Sequence, residues 1–211
     1  MLSRIDQGCW RCAAGTAGAL VCPACDVVQP LPAGADMFAV LGLPRRLAVD
    51  PTDLERRYHE ASRSVHPDRH QTADARQREL SLAVSATVNR AYRTLRDPVA
   101  RGRYWLELHG TTAGERSQQV PPALVAEVFE TQEHLEALRQ AGVGPEAGRL
   151  RDEVVALRDG LAARLEALRG RLIVRYEMDG GDSRAALVEL KARLSEIAYL
   201  QTLLGDVEET I

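Results

Sequence analysis

His66-Pro67-Asp68 stands between two apolar stripes, and the reading of those stripes decides the fold. Upstream, Asp50-Pro51 opens a helix: the aspartate caps free N–H groups and the proline suits the first helical position. Leu54, Tyr58, Ala61 and Val65 then recur at spacings of four, three and four, the period of one buried helix face. Arg56, His59 and Arg63 lie opposite that stripe, with Arg57 on its flank. Pro67 disfavours α conformation in the residue before it, so this helix must end near His66. Downstream, Leu80, Val84, Val88, Ala91 and Leu95 mark a longer helix that stops before Asp97-Pro98. The spacing predicts a helical hairpin with His66-Pro67-Asp68 in its turn and an arginine-rich face toward solvent.

The rest of the chain frames that hairpin. It has 211 residues, 45% hydrophobic and 27% charged, with a formal net charge of −3, enough for one large domain or two small ones. Ordinary apolar, Gly and Pro content excludes collagen-like, mucin-like and wholly disordered chains. No apolar run approaches the roughly 18–20 residues of a bilayer span, and no membrane association is expected. Met1-Leu2-Ser3-Arg4-Ile5-Asp6 lacks the apolar core of a secretory signal, and an acid and cysteines come early for a mitochondrial presequence. All but Lys191 of the 27 basic residues are arginine, a composition bias that suggests a bacterial source.

Charge divides the chain. Residues 44–104 carry 13 basic and 8 acidic side chains, whereas residues 115–211 carry 12 basic and 18 acidic. A basic middle followed by an acidic end points to modules with different partners. All four cysteines precede residue 26. The expected units are 1–30, a tetracysteine unit; 36–110, the hairpin domain; 111–120, a linker; and 121–211, a domain of three helices. No segment outside the cysteine unit alternates like a strand, so the expected class is all-α.

Cys9-Trp10-Arg11-Cys12, nine residues, then Cys22-Pro23-Ala24-Cys25 form a paired CxxC arrangement. Two such knuckles close a tetrahedral thiolate site, and four thiolates with no open position favour a structural Zn²⁺. A unit so small has almost no core, so metal binding supplies its folding free energy. The alternatives are two disulfides, a redox CxxC or an iron–sulfur cluster. The lack of a secretory signal opposes the first, and the lack of a βαβ context opposes the second.

The last helices read independently. Leu150, Val154, Leu157, Leu161, Leu165, Leu168, Leu172 and Tyr176 form one long stripe over 145–178. Met178-Asp179-Gly180-Gly181-Asp182-Ser183 breaks it, and Leu187, Leu190, Leu194, Ile197 and Leu204 return on a last helix. Three antiparallel helices around one seam follow. On the first of the three, Leu124, Val128, Leu135 and Leu138 share a face. Val125 and Phe129 fall away from it, beside Ala126, Glu130 and Glu133. Tyr199 and Leu203 likewise fall off the stripe of the last helix. A second apolar patch rimmed by carboxylates is the pattern of a partner site. The alternative is that Val125 and Phe129 pack against the hairpin domain or the third helix.

Tyr58, seven residues, His66-Pro67-Asp68 and then Asn89-Arg90-Ala91-Tyr92-Arg93-Thr94-Leu95-Arg96-Asp97-Pro98 together resemble a J-domain. J-domains bind heat-shock chaperone ATPases of the DnaK type and accelerate their ATP hydrolysis. The resemblance implies that His66, Pro67 and Asp68 make the essential contact while Arg56, Arg57 and Arg63 dock on an acidic chaperone surface. No Gly/Phe-rich linker follows; Arg101-Gly102-Arg103-Tyr104-Trp105-Leu106-Glu107-Leu108-His109-Gly110 runs into the acidic helical domain. That combination is similar to the HscB family, J-type co-chaperones of iron–sulfur cluster biogenesis, and the cysteine unit resembles the zinc-binding extension of eukaryotic members. The resemblance implies a DnaK/HscA-type chaperone and an IscU-type scaffold protein as partners, with Val125, Ala126, Phe129, Glu130, Glu133 and Tyr199 as the scaffold face. It implies metal ligation by Cys9, Cys12, Cys22 and Cys25. It also implies no enzymatic activity, and a cytoplasmic location in a bacterium or a mitochondrial one in a eukaryote. Rival readings are a J-protein for another client, a zinc-ribbon nucleic-acid-binding protein and a redox enzyme. The net charge and scarce aromatics oppose nucleic-acid binding, and no nucleophile or second base accompanies a His66–Asp68 pair.

Overall fold

The computed structural model describes residues 8–32, 34–111, 122–142, 144–177 and 183–211. Most of the expected linker, residues 112–120, lies outside them, as do 178–182 of the expected helix break and the opening residues 1–7. The fold is all-α: a helical hairpin, a set of C-terminal helices and a small tetracysteine unit. Among the described residues the only β pairing is two isolated bridges, Gly8 to Gly15 and Val21 to Val28. The chain forms two compact units, Met1–Asp97 and Pro98–Ile211.

In the first unit, α1 (Met37–Val40), α2 (Pro51–Val65) and α3 (Ala75–Arg96) surround a core built from Phe38, Leu54, Val65, Val84, Val88, Ala91 and Leu95. Both α1 and α2 pack on α3. The expected start signal operates: Asp50 accepts from Thr52 N at 2.9 Å with Pro51 behind it, and the structure adds a second cap, Asp74 accepting from Gln77 N at 2.9 Å at the start of α3. α2 ends at Val65, and His66 takes extended backbone angles (φ −60°, ψ 131°), as a residue before proline must. Pro67–His70 then form one 3₁₀ turn.

The cysteine unit is a local repeat with a thirteen-residue offset. In the first knuckle Cys9 N donates to Ala14 O and Ala13 N donates to Cys9 O. In the second, Cys22 N donates to Val27 O and Asp26 N donates to Cys22 O. Each knuckle ends on a residue of positive φ, Ala13 at 61° and Asp26 at 55°, which turns the chain so that both cysteines of the pair face inward. Between the knuckles lie Cys9, Cys22 and Val27, with Trp10, Ala14 and Cys25 packed on them. Among the described residues of the unit, Val28 is also buried, and the apolar interior goes little further.

In the second unit, α5 (Val125–Gln140), α6 (Pro145–Glu177) and α7 (Arg184–Thr210) pack pairwise, and α4 (Pro98–Leu108) packs on α6 and α7. Ser183 caps α7 as expected, accepting from Ala186 N at 3.2 Å. The α6 stripe is buried along its length, with Leu150 and Leu157 half-buried. Three positions differ from the sequence reading. Leu203 is buried, at 2% exposure, because α7 buries Leu194, Ile197, Leu200 and Leu203 at three-residue steps, which rotate the inward face; Leu204 is left half-buried. On α5 the polar Thr131 is buried, its hydroxyl donating to Glu127 O at 2.7 Å. Arg164 of α6 pairs with Glu127 of α5 and, at 3.0 Å, with Glu196 of α7.

Tyr176 closes this unit. Its hydroxyl donates to Pro98 O at 2.8 Å, and a Cβ at Gly102 would collide with the Tyr176 hydroxyl oxygen. Gly102→Ala is therefore expected to destabilise the chain by ~1–3 kcal/mol in urea unfolding. Combined with Tyr176→Phe, which removes the clashing oxygen, the two losses should sum to less than their separate values.

Candidate functional site

The hairpin turn is exposed above and fastened below. His66 and Asp68 are exposed, with side-chain exposures of 52% and 74%. His66 Nδ1 accepts from Asp68 N at 3.3 Å, and its Nε2 takes no partner among the described residues. Asp68 Oδ1 accepts from Gln71 Nε2 at 3.0 Å. The turn thus offers an imidazole nitrogen and a carboxylate side by side, held by their own backbone and one glutamine.

Beneath them, Pro67 has ended α2 and left its last carbonyls without helical donors. Ser81 Oγ donates to Val65 O at 2.7 Å. The buried His70 spans Ser64 O at 3.2 Å through Nε2 and Gln77 Nε2 at 3.0 Å through Nδ1. A carbonyl only accepts, so Nε2 carries the proton and Nδ1 accepts from the amide. His70, Gln77 and Ser81 are the site residues that sequence reasoning missed. Their signal was present: Gln77, Ser81, Val84, Val88, Ala91 and Leu95 are all buried at spacings of four, three, four, three and four. Two polar residues on a buried stripe mark a polar job there. Leu80, assigned to that stripe, is half-buried.

The motif residues around the turn also meet. Tyr58 donates to Asn89 Oδ1 at 3.0 Å and stacks on Tyr92 with ring centroids 4.0 Å apart, bracing α2 against α3. The three arginines on α2 differ. Arg63 is exposed, with no partner among the described residues. Arg56 is exposed but paired to Asp53 at 2.5 Å and Glu60 at 2.8 Å. Arg57 is half-buried, donating to Asp53 Oδ2 at 2.7 Å and to Gly42 O at 2.5 Å, so it braces α2 against the turn after α1. Hydrogen bonds from Arg57 and then Arg56 hold the Asp53 carboxyl below the usual carboxylate range.

The four cysteines are free thiols whose sulfurs all lie within 4.8 Å of one another. Cys9 and Cys25 are 3.6 Å apart and Cys12 and Cys22 are 3.7 Å apart. Metal–sulfur bonds of about 2.3 Å in a tetrahedron put sulfurs about 3.8 Å apart, so the cluster fits one metal ion. Burial pushes both buried-side thiols up. At Cys9 the backbone N–H groups of Cys12 and Arg11 outweigh it and bring the thiol down to about 6, while Cys25, beside its neighbours' sulfurs, is pushed up to about 12. Gln29 Nε2 also donates to Cys9 Sγ at 3.3 Å. Donors aimed at a sulfur stabilise a thiolate ligand.

On α5, Val125 is 39% and Phe129 69% exposed, and Ala126, Glu130 and Glu133 are exposed beside them. Tyr199 is half-buried on α7. Phe129 is thus a large aromatic left in solvent within a row of acids.

Residues 36–104 match the DnaJ domain. The chain is 40% identical over 116 residues to the co-chaperone protein HscB homolog of Aromatoleum aromaticum, covering 54% of this chain and 66% of that one. It is 30% identical over 152 residues to the iron-sulfur cluster co-chaperone protein HscB homolog of Arabidopsis thaliana, covering 72% of this chain and 59% of that one. These matches span slightly under two thirds of each relative's length. The crystal structure of human co-chaperone protein HscB superposes with a TM-score of 0.73 at 25% identity, covering 96% of this chain and 97% of that one. The chain belongs to the HscB co-chaperone family. Chaperone HscB from Vibrio cholerae matches less fully, with a TM-score of 0.55 over 82% of this chain. Among the described residues no helix is long and apolar enough to cross a membrane.

The fastening under the turn yields a test. Ser81→Ala leaves the buried Val65 carbonyl without its donor and is expected to cost ~1–3 kcal/mol in urea unfolding. Leu82→Ala, one residue on but 61% exposed, should change stability by no more than ~0.5 kcal/mol.

Proposed function

We propose that this chain is a two-armed adaptor that does no chemistry of its own. Its first unit engages a DnaK/HscA-type chaperone and stimulates ATP hydrolysis. Its C-terminal helices capture an IscU-type iron–sulfur scaffold and deliver it. The observation that carries the reading is the exposed His66-Pro67-Asp68 turn, fixed from below by buried hydrogen bonds and free above.

The division of labour follows from the side chains. Pro67 removes one rotational freedom from the turn, His66 offers an unpaired ring nitrogen, and Asp68 offers a carboxylate to a cationic partner group. Arg63, with no internal partner, is the strongest docking charge on α2. Arg56 and Arg57 share the carboxylate of Asp53, so they add to the basic field and less to any single contact. On the other arm, Phe129 is the anchor, with Val125 and Ala126 beside it, Tyr199 on α7, and Glu130 and Glu133 as a polar rim. The first and last residues of this face, like the domain limits 36–110 and 121–211, belong to the proposal. The metal is proposed to be zinc, held by Cys9, Cys12, Cys22 and Cys25: it takes four thiolates tetrahedrally and supplies folding energy to a unit with little core. The compartment follows the source, cytoplasmic in a bacterium and mitochondrial in a eukaryote.

His66→Gln is expected to abolish stimulation of a DnaK-type ATPase while leaving urea unfolding unchanged; full stimulation by that variant defeats the reading. Phe129→Ala should weaken binding to purified scaffold roughly 30-fold, as loss of a central aromatic anchor does, with chaperone stimulation intact. Equal affinity in a titration argues against that face. Elemental analysis should return one zinc per chain, and iron in its place would reassign the cysteine site.

A further inference from the structure

The cysteine unit touches the hairpin turn at both of its ends. Asp26, the residue after Cys25, accepts from Arg69 Nη2 at 3.0 Å, and Arg69 directly follows Asp68. Arg11, inside the first knuckle, lies 4.0 Å from Asp74, the residue that caps α3. Beside it, Arg76 in the first turn of α3 sits over the Trp10 ring, 4.3 Å from its centroid. Residues 66–74 are therefore bracketed: one knuckle grips the turn and the other grips the start of α3.

What fixes the gripping residues is the metal site. Trp10 and Arg11 lie between Cys9 and Cys12, and Asp26 follows Cys25 at a positive φ of 55°. Trp10 Nε1 donates to Val28 O at 2.8 Å, and the ring packs on the small cluster of Cys9, Cys22 and Val27. An interior that small does not hold two knuckles in register without the bonds of an ion. The positions of all three gripping side chains are consequently set by the same four sulfurs.

We propose that the tetracysteine unit is a positioning clamp for the His66-Pro67-Asp68 turn, with Asp26, Arg11 and Trp10 as positioning residues whose grip depends on bound metal. Coupling to the chaperone rests on the reading of that turn given above; coupling to the loop does not. The clamp narrows the loop's conformations before docking, which lowers the ordering cost that the chaperone complex otherwise bears. Both ion pairs are solvent-exposed, so each shifts an equilibrium by no more than about fivefold, and with the half-buried Trp10 ring their effect lies in acting together.

The test uses the full metal-loaded chain and the double variant Asp26→Asn/Arg11→Ala. Asparagine tolerates the positive φ and removes the charge, and neither change touches a sulfur. Metal content is expected to stay at the wild-type value. Amide hydrogen exchange across residues 66–74 should quicken, and the concentration giving half-maximal stimulation of a DnaK-type ATPase should rise, each roughly three- to tenfold. Stripping metal from the wild-type chain with a chelator should quicken exchange at the same amides. Loop exchange that stays at the metal-loaded rate after stripping overturns the clamp, as does a double variant in which either readout is unmoved. His66→Gln separates the two readings. If it still stimulates, the assignment of the turn has failed, and the exchange comparison alone decides the clamp.

Discussion

The constraint on which this molecule turns is the end of α2. A proline at position 67 stops the helix at Val65 and strands its last carbonyls next to a turn that must stay exposed. Water would satisfy those carbonyls at an ordinary surface helix end, leaving a loop free to wander. Here Ser81 and His70 satisfy them from α3 and from the turn itself, and Gln77 holds the histidine in the tautomer that can donate. The polar groups around the loop are thereby divided into a lower, buried set that supplies donors to the α2 carbonyls while leaving Gln77 Oε1 without a partner among the described residues, and an upper, exposed set, His66 and Asp68. Lifting the turn away would strip the Ser64 and Val65 carbonyls of these donors, and a buried carbonyl left without a donor is costly.

Much of this was legible in the sequence, and the physical reason is periodicity. Leu54 and Val65 on one side, and Val84, Val88, Ala91 and Leu95 on the other, are buried as a 3.6-residue period demands. The caps Asp50 and Ser183 and the stop at Pro67 are local steric effects that a sequence displays directly. Paired CxxC spacing likewise brings four sulfurs together because each knuckle is a short, self-contained turn.

The rest depended on tertiary context. Gln77, Ser81 and Thr131 are buried although polar, because each has a specific partner that hydropathy does not register. Leu203 turned inward because a helix running between two others changes its inward face along its length. Arg57 looked like its neighbours on α2, yet the carbonyl of Gly42, fifteen residues earlier, captures it. The contacts of the cysteine unit with Arg69, Asp74 and Arg76 join residues 43 to 66 positions apart. No pattern within either segment announces them.

The arginines of α2 show how a basic face and a set of paired charges coexist. Arg56 and Arg57 are bound to carboxylates of their own helix, and surface pairs of this kind add little to stability. What they do is hold side chains in place, so that residues 44–97, with 11 basic against 8 acidic side chains, carry their net positive charge on an ordered unit. Long-range attraction of an acidic partner depends on that sum and its distribution. A direct contact would draw instead on groups without an internal partner, and among the arginines of this helix that is Arg63, three residues before the turn. The basic field and the exposed tip are thus separate features of the hairpin: the first is a sum over arginines held by their own helix, the second a few side chains, Arg63, His66 and Asp68, turned to solvent.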